Sequence, residues 1–526
     1  MSQPMSLASL ADELAQRGLL IQGPAPAAES VTFHDITFDP TPLRSGSLYV
    51  NLHGDTPQAR QRLRDAASCG AVAALIEFTP DTDAPLPTLQ VTSPRRALSA
   101  AAAAWAGHPS RRLHVIGITG TNGKSTTACM LARIFDRAGI RHGLLSSVYI
   151  KAGATSLAPE IMTTPDAPLL HDLLARMVDD GATHAVVEVS SHGLAHERVA
   201  DVAFDHALIT NIDRDHTDFH PTPGHYLQTK ARLFAGLPGS GLAFYNADDP
   251  AATVAASTTP AGRLGVGRGP EHEVHLDETG VRIGDQAAAR LGRPPVHIPL
   301  RLRLPGEHNR MNAAGAAALA YAAGVPVACI EEALATFPEL RRRLQPIYEG
   351  AFRIVDDIAC SPGHLCTLFS WLHGEAARYR RLLVITSMRG SRGTAMNHEC
   401  ATLLAQGLPG LKLAHLVVTD SQGELNEFNR VTAEERAAYL EGLQPCWDLV
   451  RLVDTNPEAC RLILRKVRRG DLVLVVGTFG VDSMAGLLQD HLRRRFRFPW
   501  PGAAAETYHD TDFLTNSREA TTFARA

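Results

Sequence analysis

Residues 117–127, GITGTNGKSTT, combine three glycines, a lysine and hydroxyl residues in one short loop. An apolar run, 113–116, precedes them, and helical spacing follows at Met130, Leu131, Ile134, Phe135 and Ala138. Glycines at 117, 120 and 123 let the backbone curl until its N–H groups face one centre, and the helix N-terminus adds partial positive charge. That chemistry suits the phosphates of a nucleotide. Lys124 would neutralise the β/γ-phosphates and Ser125 would offer a hydroxyl to Mg²⁺. The strict G-x-x-x-x-G-K-[ST] pattern is not met, because Ile118 stands where its first glycine belongs. The strand–loop–Lys–Ser–helix context carries the reading instead.

Two further segments bring charge to strand ends. HAVVE delivers Glu188 to the C-terminal end of a strand, the usual place for ligands in an open parallel sheet. A carboxylate there could hold Mg²⁺ bridging the phosphates of ATP. Residues 210–220, TNIDRDHTDFH, crowd Asp213, Arg214, Asp215, His216, Asp218 and His220 together. Such a cluster is costly unless it binds metal or phosphate or pairs internally. Lys230, in the helical stretch 226–234, reads by itself as an ordinary surface lysine.

The elements that must position these groups separate into three regions. Residues 1 to about 108 alternate short apolar runs (48–52, 71–77) with turns and close on an alanine-rich helix, 97–106. From about 112 to 340, strand-like runs at 113–118, 184–189, 204–210 and 242–246 alternate with amphipathic helices. From about 341 to 498 the alternation repeats, with buried-type runs at 352–355, 382–386, 416–419 and 472–476. The tail from 499 is polar. This texture predicts α/β architecture with mainly parallel sheets.

Composition narrows the function. Lys+Arg 51 against Asp+Glu 55 gives a formal charge of −4, which argues against nucleic acid or a membrane surface as partner. No run approaches the ~18 apolar residues of a membrane span, and the N-terminus lacks a signal-peptide pattern. Eight scattered cysteines without a C-x-x-C pair favour reduced thiols. The expectation is a cytoplasmic enzyme.

In their order along the chain, these segments resemble the Mur ligase family, which joins a carboxylate to an amine at the expense of ATP; the MurE type is the most similar. The resemblance covers residues 30 to 480 approximately. It implies three domains: a small α/β acceptor-recognition domain (1–110), a central P-loop ATPase domain (111–340) and a Rossmann-like ligase domain (341–498), followed by the tail (499–526). It also implies ATP contacts at Gly120, Thr121, Asn122, Gly123, Lys124, Ser125 and Thr126, and at Asn309, Arg343 and Asp357. Magnesium would be associated with Ser125, Glu188 and His216, and with Lys230 in carbamylated form. Lys124, Lys230 and His216 would be the catalytic set. Thr163, Thr164, Ser190 and Arg198 match positions that touch the acid substrate. The partners implied are small-molecule or peptide acids and amines, with the enzyme a monomer or dimer.

Both substrate ends depart from the family's pattern. The D-S-R of the uridine-binding module reads Asp39-Pro40-Thr41, and Pro40 brings neither a hydroxyl nor an N–H. In the third domain D-Y-A-H-T-P reads Asp357 to Pro362 with Cys360 at the histidine. D-N-P-R reads Asp420-Ser421-Gln422-Gly423 with Glu424 following, and G-K-G-H-E reads Gly477 to Val481. MRGSRG supplies Arg389 and Arg392 as anion-binding candidates beside Asp420 and Glu424. The sequence therefore predicts an ADP-forming amide ligase with altered substrates. An authentic wall-precursor ligase and a non-catalytic ATP-binding homologue are the rival expectations.

Overall fold

The computed structural model describes residues 4–41, 43–79, 84–153, 155–157, 162–213, 215, 219–390, 392–425 and 430–496. Arg214, His216, Asp218 and the tail from 499 lie outside the described residues.

Besides a two-stranded pairing of Met5–Ser6 with Thr32–Phe33, three larger sheets follow one another along the described residues. They have five strands between Leu20 and Val91, eleven between His114 and Pro299, and six between Gln345 and Val476. Antiparallel pairing is confined to their edges, so each is mainly parallel, as the sequence predicts. Parallel strands need helical crossovers, which cover both faces and bury the strands throughout. Leu472–Val476 (LVLVV) and Leu382–Ser387 are buried at every position. That burial is why such strands are legible as unbroken apolar runs.

The central sheet reverses its order around the strand His114–Thr119. That strand lies between His184–Glu188 on one side and His206–Ile209 on the other, with Glu188 opposite Ile118 and Ile209 opposite Thr119. A crevice opens at the carboxyl ends where strand order reverses. The helix Lys124–Arg137 starts there and packs its apolar face with the helix Glu307–Ala322 in one core.

The sequence reading left residues 262–299 without strands, and the structure corrects it. Gly262–Gly267, Val274–Leu276, Gly280–Ile283 and Val296–Pro299 extend the sheet. These strands are three to six residues long and interrupted by charged or half-exposed positions, too short for periodicity to register.

Passage to the third sheet runs through Arg342 and Leu344, both left-handed at φ 57° and 51°. Non-glycine residues hold that conformation only when their surroundings fix it. Here the Arg342 guanidinium lies 3.3 Å from the fully buried Asp356, and Leu344 N–H donates to the Asp357 carboxylate at 2.8 Å.

One buried histidine makes the fold sensitive to acid. His171, in the helix Ala167–Asp179, is wholly buried, and neither ring nitrogen has a hydrogen-bond partner among the described residues. Burial, reinforced by His108 and Arg17, pushes its pKa down to about 3. A folded pKa below the unfolded one means that stability is complete above pH ~6.5 and is lost as pH falls toward the folded value. The expected loss is about 1.4 kcal/mol per pH unit below 6.5. Urea unfolding at pH 6.5 and 5 should show the H171L variant losing about 2 kcal/mol less than the wild type over that interval. Equal slopes would mean that His171 takes up its proton in place.

Candidate active site

The loop after His114–Thr119 is shaped by the end of the neighbouring strand. Gly120 and Gly123 have φ of 144° and 83°, and a Cβ on either would strike Thr210 Oγ1 or the Asn312 side chain. Asn211 grips Asn122 at both backbone atoms: its Oδ1 accepts from the Asn122 N–H at 2.9 Å and its Nδ2 donates to the Asn122 carbonyl at 3.0 Å. Thr121 N–H donates to the Asn211 carbonyl at 2.8 Å. Gly123, at the N-cap of Lys124–Arg137, provides no side-chain acceptor, so the first-turn N–H groups of that helix remain suited to an anion.

Beneath the loop three ionisable groups come together, Glu188 and Lys230 buried and Lys124 half-buried. Glu188 is 1% exposed. Its carboxylate accepts from Ser125 Oγ at 3.0 Å, from the Ser147 N–H at 2.9 Å and from Ser147 Oγ at 3.3 Å. Lys124 donates to the Thr121 carbonyl at 2.9 Å, and burial lowers its pKa against the pull of Glu188 and Asp215. Lys230, from the helix Pro223–Ala235, is 1% exposed rather than on the surface. Its ammonium donates to the Gly120 carbonyl at 2.8 Å and lies 4.7 Å from the centre of the Tyr226 ring. Burial first, and Lys124 second, push its pKa well below the ordinary lysine value. A buried carboxylate ringed by hydroxyls is a hard-oxygen donor set of the kind Mg²⁺ takes.

A cavity of about 510 Å³ opens between the central and third sheets. Asn122, Gly123, Ser125, Thr126 and Asn309 line it from one side, and Arg343, Asp357 and His364 from the other. The Arg343 guanidinium reaches to 3.5 Å of Ser125 Oγ. The structure thus gathers most of the predicted nucleotide-contacting residues around one space. Asp357 holds the turn it sits in, accepting from the Leu344 and Ala359 N–H groups at 2.8 Å each.

The other predicted positions fall in two places. Thr164 is buried against the end of the Glu188 strand: it donates to the Glu188 carbonyl at 2.9 Å and accepts from the Ser190 N–H at 2.9 Å. Arg198 donates to the Thr164 carbonyl at 3.0 Å and pairs with Asp166 at 2.8 Å. Thr163, next to Thr164, is partly exposed. On the third domain Arg389 donates to Cys360 Sγ at 3.2 Å, and Arg392 pairs with Asp215 at 2.9 Å. Asp420 pairs with Arg436 at 3.2 Å, and exposed Glu424 accepts from Ser483 at 2.8 Å. Sequence reasoning missed Ser147, Asn211 and His364. Asn211 lies two residues past the strand His206–Ile209, which is a usable signal, whereas nothing local marks Ser147.

With this geometry in place, comparison with known proteins is decisive. Residues 118–320 match the Mur ligase middle domain, and residues 342–479 match the Mur ligase glutamate ligase domain. A UDP-N-acetylmuramoyl-L-alanyl-D-glutamate--2,6-diaminopimelate ligase of Chlorobium phaeobacteroides is 31% identical over 490 residues, 89% of this chain and 91% of the relative. The chain belongs to the Mur ligase family. A UDP-N-acetylmuramyl-tripeptide synthetase of Deinococcus radiodurans is likewise 31% identical, over 90% of this chain and 95% of its own. Among solved structures, a MurF of Acinetobacter baumannii shares the fold with a TM-score of 0.62 at 20% identity, covering 93% of this chain and 99% of the MurF chain. As a Mur ligase this protein is an ATP-dependent ligase. No helix among the described residues is long and apolar enough to cross a membrane.

The K124A variant should lose at least two orders of magnitude in ATP-dependent phosphate release, since one such donor is worth ~3 kcal/mol in a transition state. Its urea unfolding midpoint should stay near the wild-type value, because removing a buried charge also removes its desolvation cost. Phosphate release at the wild-type rate would sink the nucleotide-loop assignment.

Proposed function

We propose that this Mur ligase makes its amide through an acyl phosphate, on an acid and amine other than those of the standard wall-building step. The observation that carries the reading is a contrast. Glu188 and Lys230 are buried beside half-buried Lys124 at an intact phosphate loop, while the third domain presents no side chain at Gly423 and a fully buried Val481. In the family pattern these last two positions hold an arginine and a glutamate.

The residues at hand suit the steps. Lys124 and the helix N-terminus would draw charge from the γ-phosphate as the acid's carboxylate oxygen attacks phosphorus and ADP leaves. The amine nitrogen would then attack the acyl carbon, with inorganic phosphate leaving. Ser125 and Glu188, with His216 and Lys230, would hold Mg²⁺, which when bound neutralises the phosphate oxygens. Thr164, Ser190 and Arg198 would face the acid, while Arg343 and Asp357 would close over the nucleotide. Arg389 sits with its guanidinium 4.8 Å from the centre of the Phe479 ring, where it could meet an anionic amine substrate. A second reading, ligation of diaminopimelate to UDP-N-acetylmuramoyl-dipeptide, has the names of the relatives in its favour.

Lys230 is expected to be carbamylated. Its lowered pKa supplies the neutral amine that adds to CO₂ with loss of a proton, and metal would stabilise the carbamate. Protein equilibrated with ¹³C-bicarbonate should give a carbamate carbon signal that the K230A variant lacks. Identical spectra for the two proteins would exclude the modification.

Amine selection separates the two readings. Losing one partner of a charge-assisted bond costs ~1.5–3 kcal/mol, so neither diaminopimelate nor lysine should win a competition among amines with a working acid. Preference for either by about tenfold, roughly 1.4 kcal/mol, would establish the wall-precursor reading instead.

A further inference from the structure

The wall of the 510 Å³ cavity that the third domain supplies carries one group to which neither the sequence nor the family resemblance gives a role. The helix Pro362–Glu375 turns His364, Thr367 and Leu368 to that cavity, at the i, i+3, i+4 spacing that puts three side chains on one face. Leu368 is apolar, and the Thr367 hydroxyl is engaged by its own helix, donating to the Gly363 carbonyl at 3.1 Å. His364 differs from both. Its Nδ1 is buried and has no hydrogen-bond partner among the described residues. Gly363, one residue before, fixes the first turn beside the phosphate loop. A Cβ there would strike the Asp213 carboxylate and come within 3.6 Å of Asn122 Nδ2. Burial is the largest influence on the imidazole and holds its pKa down to about 4, so the ring is neutral at neutral pH. Arg343 and Lys124 are near enough to act in the same direction, Asp215 and Asp357 in the opposite one.

We propose that His364 binds the nucleotide directly, its Nε2–H donating to a phosphate oxygen. This rests on the reading that the cavity takes ATP. A neutral imidazole has one N–H and one lone pair. A buried N–H without an acceptor is rarer than an unmet lone pair, so the proton belongs on Nε2 and the buried Nδ1 keeps the lone pair. The nitrogen left to the cavity is then a donor in need of an acceptor. Arg343 and Lys124 cannot supply one, because both are donors only. The nearby carboxylates are already engaged: Asp357 by the Leu344 and Ala359 N–H groups, Asp215 by Arg392. A phosphate oxygen is an acceptor that a rim of donors of this kind would hold. A ribose hydroxyl is the rival partner.

The test reads nucleotide binding in the full chain without acid or amine, so it stands apart from ligation. Calorimetry compares the wild type, H364A and H364Q with Mg-AMPPCP, Mg-ADP, Mg-2′-deoxy-ADP and Mg-3′-deoxy-ADP. H364A should bind all four at least about tenfold more weakly and by a common factor, as expected for losing a hydrogen bond to a charged acceptor. H364Q, whose side-chain amide keeps a donor, should stay within about threefold of the wild type. Urea midpoints should be equal for the three proteins. Wild-type affinity in H364A would overturn the proposal, and so would H364Q binding no better than H364A. A loss that vanishes with either deoxynucleotide would assign the contact to that hydroxyl and overturn the phosphate contact. A wild type that binds none of the four would sink the nucleotide cavity along with His364. The expected pattern in a protein that releases no phosphate with any acid and amine would keep the contact and count against the ligation chemistry alone.

Discussion

A buried lysine and a buried glutamate lie close to half-buried Lys124 at the carboxyl ends of the central strands, and much of the molecule can be understood as making that tolerable. An isolated charge in a protein interior costs several kcal/mol, so each must find partners within hydrogen-bond reach. Glu188 finds them in two serines from different elements, and Lys230 finds one in the carbonyl of Gly120. That carbonyl is presented by a left-handed glycine whose conformation leaves no room for a side chain beside Thr210. The reversal of strand order brings the three strand ends together. A site of this kind is poised for a phosphate, because Lys124 and the first-turn N–H groups of the helix it opens both favour an incoming anion.

The same constraint explains how much could be read from the sequence. Strands buried on both faces appear as apolar runs, and 472–476 coincides with such a strand. The phosphate loop is legible because its chemistry is local: glycines, lysine and hydroxyl within eleven residues. Lys230 is legible only through the family resemblance, since its burial depends on a helix packing over a loop more than a hundred residues earlier. The short strands between 262 and 299 left no pattern, because seven of their seventeen residues are exposed or only partly buried and interrupt the apolar runs. Ser147 and Glu435 were invisible for a different reason. Each acts through partners from remote segments, and residue type alone does not encode such pairing.

Glu435 also shows how a local stability device can serve a distant site. A capping box ordinarily satisfies N–H groups at its own helix end. Here the second carboxylate oxygen is turned to another segment, where it fixes the backbone at Arg392 and Gly393. Glutamine could keep part of this geometry, but a neutral acceptor would hold those N–H groups more weakly than a carboxylate does. The charge at 435 thus holds the turn that begins the helix Gly393–Gly407 as well as its own helix end.

The junction between the domains follows from the same bookkeeping of buried charge. Arg342 is drawn inward by Asp356 while adopting a left-handed backbone, so the chain enters the third sheet in a conformation that its own ion pair enforces. Arg343, one residue on, then points the other way and reaches Ser125 in the phosphate loop. Adjacent arginines therefore face opposite domains, one anchoring the third sheet and one sensing the loop. Because a guanidinium is charged at every physiological pH, neither can relieve a mismatch by losing a proton. Any rotation that pulls Arg343 from the loop must find it water or another anion. The phosphates of a nucleotide in the cavity would be that anion, which ties the angle between the domains to the occupancy of the site.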